Sequence, residues 1–160
     1  MKRLFPILLL AVLLTNVVSC NDNSCYDNGS SLPLVRFYMS GSDKNISLSG
    51  VTLKGVGAPN DSALTDEKTL SEAFLPLRAT MNTTQWVVEV AVTNGSTVSD
   101  TITLDYKSTP YFASSECGAM FSFELNNVTT THNVIDSVVI RQKNVTNVKT
   151  ENLRIYFTNQ

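Results

Sequence analysis

From residue 34 to residue 157 the apolar residues of this chain recur at every second position, interrupted by short polar stretches carrying Gly, Asn, Asp or Pro. A period of two marks a strand with one face buried, because successive side chains point to opposite sides of the backbone. The first such run sets Val35, Phe37 and Met39 against Leu34, Arg36 and Tyr38. A second centres on Val51 and Leu53 between Gly50 and Gly55. A third carries Ala73, Leu75 and Leu77, where Pro76 argues for an edge or a bulge. The clearest run is Trp86, Val88, Val90 and Val92. It leads into Asn94-Gly95, a hairpin turn signal, and then into its partner Ile102, Leu104 and Tyr106. Later runs at Phe121, Phe123 and Leu125, at residues 135–140, and at Leu153, Ile155 and Phe157 bring the count to about eight short strands. The polar segment 61–71 has room for one helical turn, and no long helical pattern occurs. The predicted fold class is therefore all-β: a sandwich of about eight strands, immunoglobulin-like topology preferred, with a small barrel as the alternative.

The first twenty residues follow another pattern. Met1-Lys2-Arg3 is a positive start, and an apolar run from residue 4 to residue 14 is interrupted only by Pro6. That arrangement predicts a secretory signal, and the run is too short to span a bilayer, which takes ~20 apolar residues. Val17-Val18-Ser19-Cys20 resembles the bacterial lipobox. The resemblance implies cleavage before Cys20, diacylglycerol on its thiol and acylation of the new amine. Two or more chains anchor a protein stably where one holds it only marginally. The expected division is a signal at 1–19, a lipidated Asn-, Asp-, Ser- and Gly-rich tether at 20–32, and a β-sandwich domain at 33–160. Asn21, where the usual inner-membrane retention signal has Asp, favours the outer membrane and leaves periplasmic or surface exposure open.

Composition then narrows the partners. Without Lys2 and Arg3, ten basic residues face fourteen acidic ones, a net charge near −4. With no basic stripe, nucleic acid is not an expected partner. About 141 residues remain after residue 19, enough for a real core. With Cys20 assigned to lipid, Cys25 and Cys117 form an even pair in an oxidising compartment. They are either two free thiols or a bridge; the bridge would close a loop of about 92 residues and contribute on the order of 4 kcal/mol.

Candidate chemistry is sparse. His132 is the single histidine, so neither a metal centre nor a cofactor is expected. Asp105 or Asp136 could support it in a triad, but no G-x-S-x-G elbow accompanies it. The acids Asp61, Asp66, Glu67 and Glu72 read as a solvated connection, so no catalytic residue is assigned. Binding has more substance. Arg36 and Tyr38 have outward parity on the first strand, as do Arg154 and Tyr156 on the last. If those strands are neighbours, the four form a strip able to hold a glycan or an envelope protein, aromatic faces stacking and guanidinium groups pairing with carboxylates. The plainer reading is ordinary cross-strand decoration. Trp86 stands on an apolar face and is expected in the core. Asp61-Ser62-Ala63, Asp100-Thr101-Ile102 and Asp136-Ser137-Val138 resemble a bacterial O-glycosylation acceptor pattern; Ser62, in an expected loop, is the better candidate.

Several short motifs combine into a wider likeness: Cys25, Arg36-Phe37-Tyr38, Leu75-Pro76-Leu77, the run from Asp100 to Tyr106, Cys117-Gly118 and Leu153-Arg154-Ile155-Tyr156. Together they resemble a family of small uncharacterised lipoproteins of Bacteroides-type bacteria. The resemblance covers essentially the whole chain after the signal and implies a shared fold and a Cys25–Cys117 pairing, but no activity. The expected function is a membrane-anchored envelope lipoprotein serving as a non-catalytic binding or structural module. Glycan binding at the cell surface is the first alternative and carboxylate hydrolysis the second.

Overall fold

In a computed structural model of the chain, the described residues are 31–59, 62–92, 95–115 and 117–158. Ten strands form: β1 (Leu34–Met39), β2 (Leu48–Gly55), β3 (Ala63–Leu70), β4 (Glu72–Phe74), β5 (Thr83–Ala91), β6 (Thr97–Ser114), β7 (Gly118–Thr130), β8 (Ile135–Ile140), β9 (Asn144–Val145) and β10 (Glu151–Phe157). They make two sheets, a four-stranded one ordered β4-β1-β10-β8 and a six-stranded one ordered β3-β2-β5-β6-β7-β9. The alternation read from the sequence thus folds as an all-β sandwich, and the strands do not close into a barrel. Consecutive β5, β6 and β7 stay side by side as a meander, and the first and last strands, β1 and β10, pair in parallel. These neighbours differ from the ABED and CFG order of an immunoglobulin constant domain. Period-two patterning fixes faces, not neighbours.

One core lies between the sheets. Val35 and Phe37 of β1 and Leu153, Ile155 and Phe157 of β10 meet Val51, Leu53, Trp86, Val88, Ile102, Leu104 and Tyr106 of the facing sheet. The Phe37 and Phe157 rings stand edge to face at 5.5 Å, and those of Tyr106 and Phe123 do the same at 5.4 Å. Each such side chain contributes about 1.5–3 kcal/mol on leaving water, so these alternating positions dominate the stability. Trp86 is buried here, as its apolar parity required.

Two elements differ from the expectation. Among the described residues of this segment, 62–71, there is no helical turn; Ala63–Leu70 form β3, paired antiparallel with β2, and Asp61 lies outside the described residues. The strand is an edge, mostly exposed on both faces. Its register with β2 shifts three times, and Glu67 takes a positive φ of 45°. Without a buried face no alternation is selected, and charged edge residues oppose pairing with another chain. The third expected strand is also shorter. Only Glu72–Phe74 pairs with β1; Leu75 and Leu77 turn into the core from the following loop.

The third difference is length. β6 and β7 pair from Ile102 opposite Thr130 as far as Ser114 opposite Gly118. β5 covers β6 only as far as Asp105. Beyond that point β6 has no second neighbour among the described residues, which is why Pro110, with no N–H to donate, is tolerated within it. The hairpin therefore projects past its neighbours as a two-stranded arm.

Candidate functional site

Parallel pairing of β1 with β10 sets Arg36 beside Arg154 and Tyr38 beside Tyr156. The condition for an outward strip is met, and all four residues share the outer face of the four-stranded sheet. The carboxylates that join them were not visible in the alternation. Glu151 and Arg154, three apart, should point to opposite faces of a regular strand. A register shift between Leu34 and Val35 places Asn152 opposite no residue of β1 and brings Glu151 to the outer side. The Asn152 side chain secures this bulge, accepting from the Leu34 N–H at 3.1 Å and donating to the Gln142 and Asn144 carbonyls.

The strip is an internally paired network. Arg154 donates from Nε and Nη2 to the two Glu151 oxygens at 3.1 and 3.3 Å, and from Nη1 to Asp43 at 3.1 Å. Its guanidinium lies 4.6 Å from the centre of the Tyr38 ring. The Tyr38 hydroxyl donates to Glu151 at 2.6 Å, and the two tyrosine rings lie 5.5 Å apart. At the other end Arg36 and Lys149 both donate to Glu72, at 3.1 and 2.6 Å. Tyr38 is only 4% exposed beneath this cover, so it offers no open stacking face. Tyr156 and Arg36 stay part-exposed and form the accessible portion.

Protonation follows from these contacts. Burial opposes the charge on Glu151, but hydrogen bonds from Tyr38 and Arg154 outweigh it and lower its pKa. Lys149 and Arg36 lower that of Glu72. Burial first, then the Glu151 carboxylate, raises the Tyr38 pKa. Tyr156 and Glu151 raise that of Arg154. Tyr38→Phe is therefore expected to cost about 1–2 kcal/mol, because it removes a hydrogen bond to a charged acceptor, and to raise the Glu151 pKa. Carbon-detected carboxyl titration by NMR measures the second effect; an unmoved Glu151 would show that the bond does not hold its charge.

A second polar centre, unrecognised from sequence, lies at one end of the sandwich. Asp100 of β6 is 1% exposed. One of its oxygens accepts from the Val134 and Ile135 N–H groups, both at 2.7 Å; the other accepts from Asn133 N–H at 2.9 Å and Thr131 Oγ1 at 2.5 Å. Burial opposes its charge, but the hydrogen bonds prevail and the pKa is lowered. Every acceptor direction is taken by the β7–β8 connection and the first residue of β8, so this carboxylate is a structural clamp. The sequence sign of it was an acid at the core-facing parity of Ile102, Leu104 and Tyr106.

The remaining candidates do not converge. His132 sits in that same connection with Nδ1 3.3 Å from the Ile135 carbonyl, while Asp105 bonds Thr83 and Asn127, and Asp136 bonds Ser137. Asp66 and Glu67 lie on β3, whereas Glu72 is on the other sheet and doubly ion-paired. Among the described residues no three His, Cys, Asp or Glu side chains are placed to hold a metal. Ser62 is exposed just before β3, whereas Thr101 and Ser137 are half-buried within strands. Cys117, in the β6–β7 turn, is not a free thiol. Cys20 and Cys25, the signal at 1–19 and all but the last two residues of the tether at 20–32 lie outside the described residues.

The fold and the strip define a small β-sandwich whose polar side chains are engaged with one another. Residues 50–157, from β2 to β10, match a model described as a family of unknown function (DUF6452), and the chain belongs to that family. The match includes Asp100, Glu151, Arg154 and Tyr156 but begins after β1, which carries Arg36 and Tyr38. Neither the curated proteins nor the solved structures returned a match.

Proposed function

We propose that the protein is a lipid-anchored envelope protein whose sandwich serves as a non-catalytic recognition or assembly module, with the outer face of the four-stranded sheet as its contact surface. One observation carries the reading: the parallel β1–β10 register gathers Arg36, Arg154, Tyr38 and Tyr156, and their acidic partners, onto one face. A preformed network of alternating charge suits a protein partner with complementary charges, which can exchange ion pairs without leaving a charge unpaired. The burial of Tyr38 favours such a partner over a glycan, for which an open aromatic face would be wanted. In this reading lipid on Cys20 supplies the anchor, and Cys117 of the β6–β7 turn pairs with Cys25. The outer membrane is its expected location.

Two linked measurements test the proposal. Cys20→Ser is expected to move most of the protein from the membrane fraction to the soluble fraction, or to leave it as uncleaved precursor; unchanged membrane recovery would remove the anchor. A photoreactive residue at position 156 is expected to yield one discrete heteromeric adduct in intact cells. It should fall several-fold when Arg36→Ala is added, by loss of a partly exposed anchoring side chain. No adduct, or adducts as diffuse as those from an exposed β3 position, would sink the contact surface.

A further inference from the structure

The β6–β7 arm carries an apolar end that the four-stranded sheet leaves partly uncovered among the described residues. From Ser108 to Phe123, sixteen residues contain one charged side chain, Glu116, and include Tyr111, Phe112, Met120, Phe121 and Phe123. Core-facing parity continues along β6 from Ile102, Leu104 and Tyr106 through Pro110 to Phe112. The four-stranded sheet does not follow it there, and Phe112 is 73% exposed. Tyr111, on the opposite face, is 37% exposed, so both faces of the tip present aromatic surface.

The beginning of the described chain fixes what this tip is near. Ser31 and Leu32 line the same cavity, of about 410 Å³, as Cys117, Ala119, Met120 and Phe121. The first described residues thus lie beside the arm, toward its turn. Only eleven residues lie between Cys20 and Leu32, and five peptide steps separate Cys20 from Cys25. At about 3.5 Å per residue, a Cys25–Cys117 bridge would hold the acylated residue within roughly 20 Å of the hairpin turn.

We propose that the tip of the β6–β7 arm, centred on Tyr111 and Phe112, is a bilayer-contact element that inserts into the lipid interface beside the acyl anchor. The inference rests on the lipid-anchored reading above and deepens it, by giving the tethered domain a fixed orientation. An amphipathic Tyr and an exposed Phe on an arm almost without charge match what interfaces accept, and Lys107 behind them can keep its ammonium in water. Edge-on contact through the arm leaves the Arg36–Tyr156 face, on the other sheet, open to a partner.

The test uses the full-length acylated protein reconstituted in phosphatidylcholine vesicles with brominated acyl chains. Trp86 is buried, so Phe112→Trp adds an exposed reporter. Its added emission is expected to fall about twofold or more relative to unbrominated vesicles, as for a ring ~5–10 Å into the interface. Leu64→Trp, on the far edge strand β3, should show little quenching. Tyr111→Trp is the second reporter should the first variant fail to fold. Vesicle flotation separates the two ideas. Failure to float removes the anchor and this inference with it, whereas flotation with neither arm reporter quenched above Leu64→Trp overturns the inference alone.

Discussion

Asp100→Ala is expected to destabilise the protein by about 3–5 kcal/mol, since each buried donor left without an acceptor costs ~1–3 kcal/mol and Val134 and Ile135 lose theirs together. For a domain of this size the melting temperature should fall on the order of 10 °C. Asp100→Asn is expected to be little better. An amide keeps one carbonyl oxygen, but its NH2 must face either the Val134 and Ile135 N–H groups or the donors at Thr131 and Asn133. Donor opposite donor is repulsive, and on the Val134 and Ile135 side both N–H groups are buried.

The same site imposes a pH dependence of definite sign. A carboxyl whose pKa is lower in the folded protein binds fewer protons there than in the unfolded chain, so stability rises with pH across the interval between the two values. Asp100, Glu72 and Glu151 are all lowered. Their contribution is therefore complete above the ordinary carboxyl range near pH 4 and is lost as pH falls through the folded values. Tyr38 acts oppositely. Its raised pKa means that its contribution is present below about pH 10 and is lost as pH rises through the folded value. Thermal melts from pH 7 to pH 2.5 decide the acid side. Asp100→Asn should show a visibly shallower decline than wild type, and superimposable slopes would mean that Asp100 carries no shifted proton.

How much of this could be read from the residues depends on which physical constraint each position answers to. Positions such as Val35, Phe37, Val88, Leu104 and Ile155 answer to burial alone, and a period of two reports burial directly. Their faces were legible without coordinates. Strand neighbours were not, because Val35 would alternate identically beside β10 or beside any other strand. The parallel β1–β10 pairing is a tertiary choice, and it turns four ordinary surface residues into one network. The bulge at Asn152 is also local information of the wrong kind for a periodic reading, since one extra residue moves Glu151 to the opposite face. β3 failed to announce itself because an edge strand with two solvated faces has no polarity pattern to show. Asp100 fell between categories: its parity with Ile102, Leu104 and Tyr106 points inward, where a charge is not expected, and the cradle of backbone donors that receives the carboxylate comes from a distant segment that alternation does not reveal.

The family match begins at residue 50, yet residues 50–157 alone are not expected to fold. β1 lies between β4 and β10 in the smaller sheet, so deleting it leaves β4 without a partner and opens the edge of β10. It also removes Val35 and Phe37, both fully buried, from the centre of the core. Truncating a single buried Phe costs about 3–5 kcal/mol, and domains hold only ~5–15 kcal/mol in total. Losing a whole central strand exceeds that margin. The fragment should therefore bind a hydrophobic dye strongly and melt without a sigmoidal transition, while residues 33–158 should unfold cooperatively. A cooperative melt of the fragment within a few degrees of the longer chain would show that β1 is an accessory. It would also move the origin of the outer strip from folding to recognition. If instead the fragment is unfolded, then the strand bearing Arg36 and Tyr38 is required by the core whatever its outer face does. Mutations intended to probe binding there must then leave Val35 and Phe37 untouched.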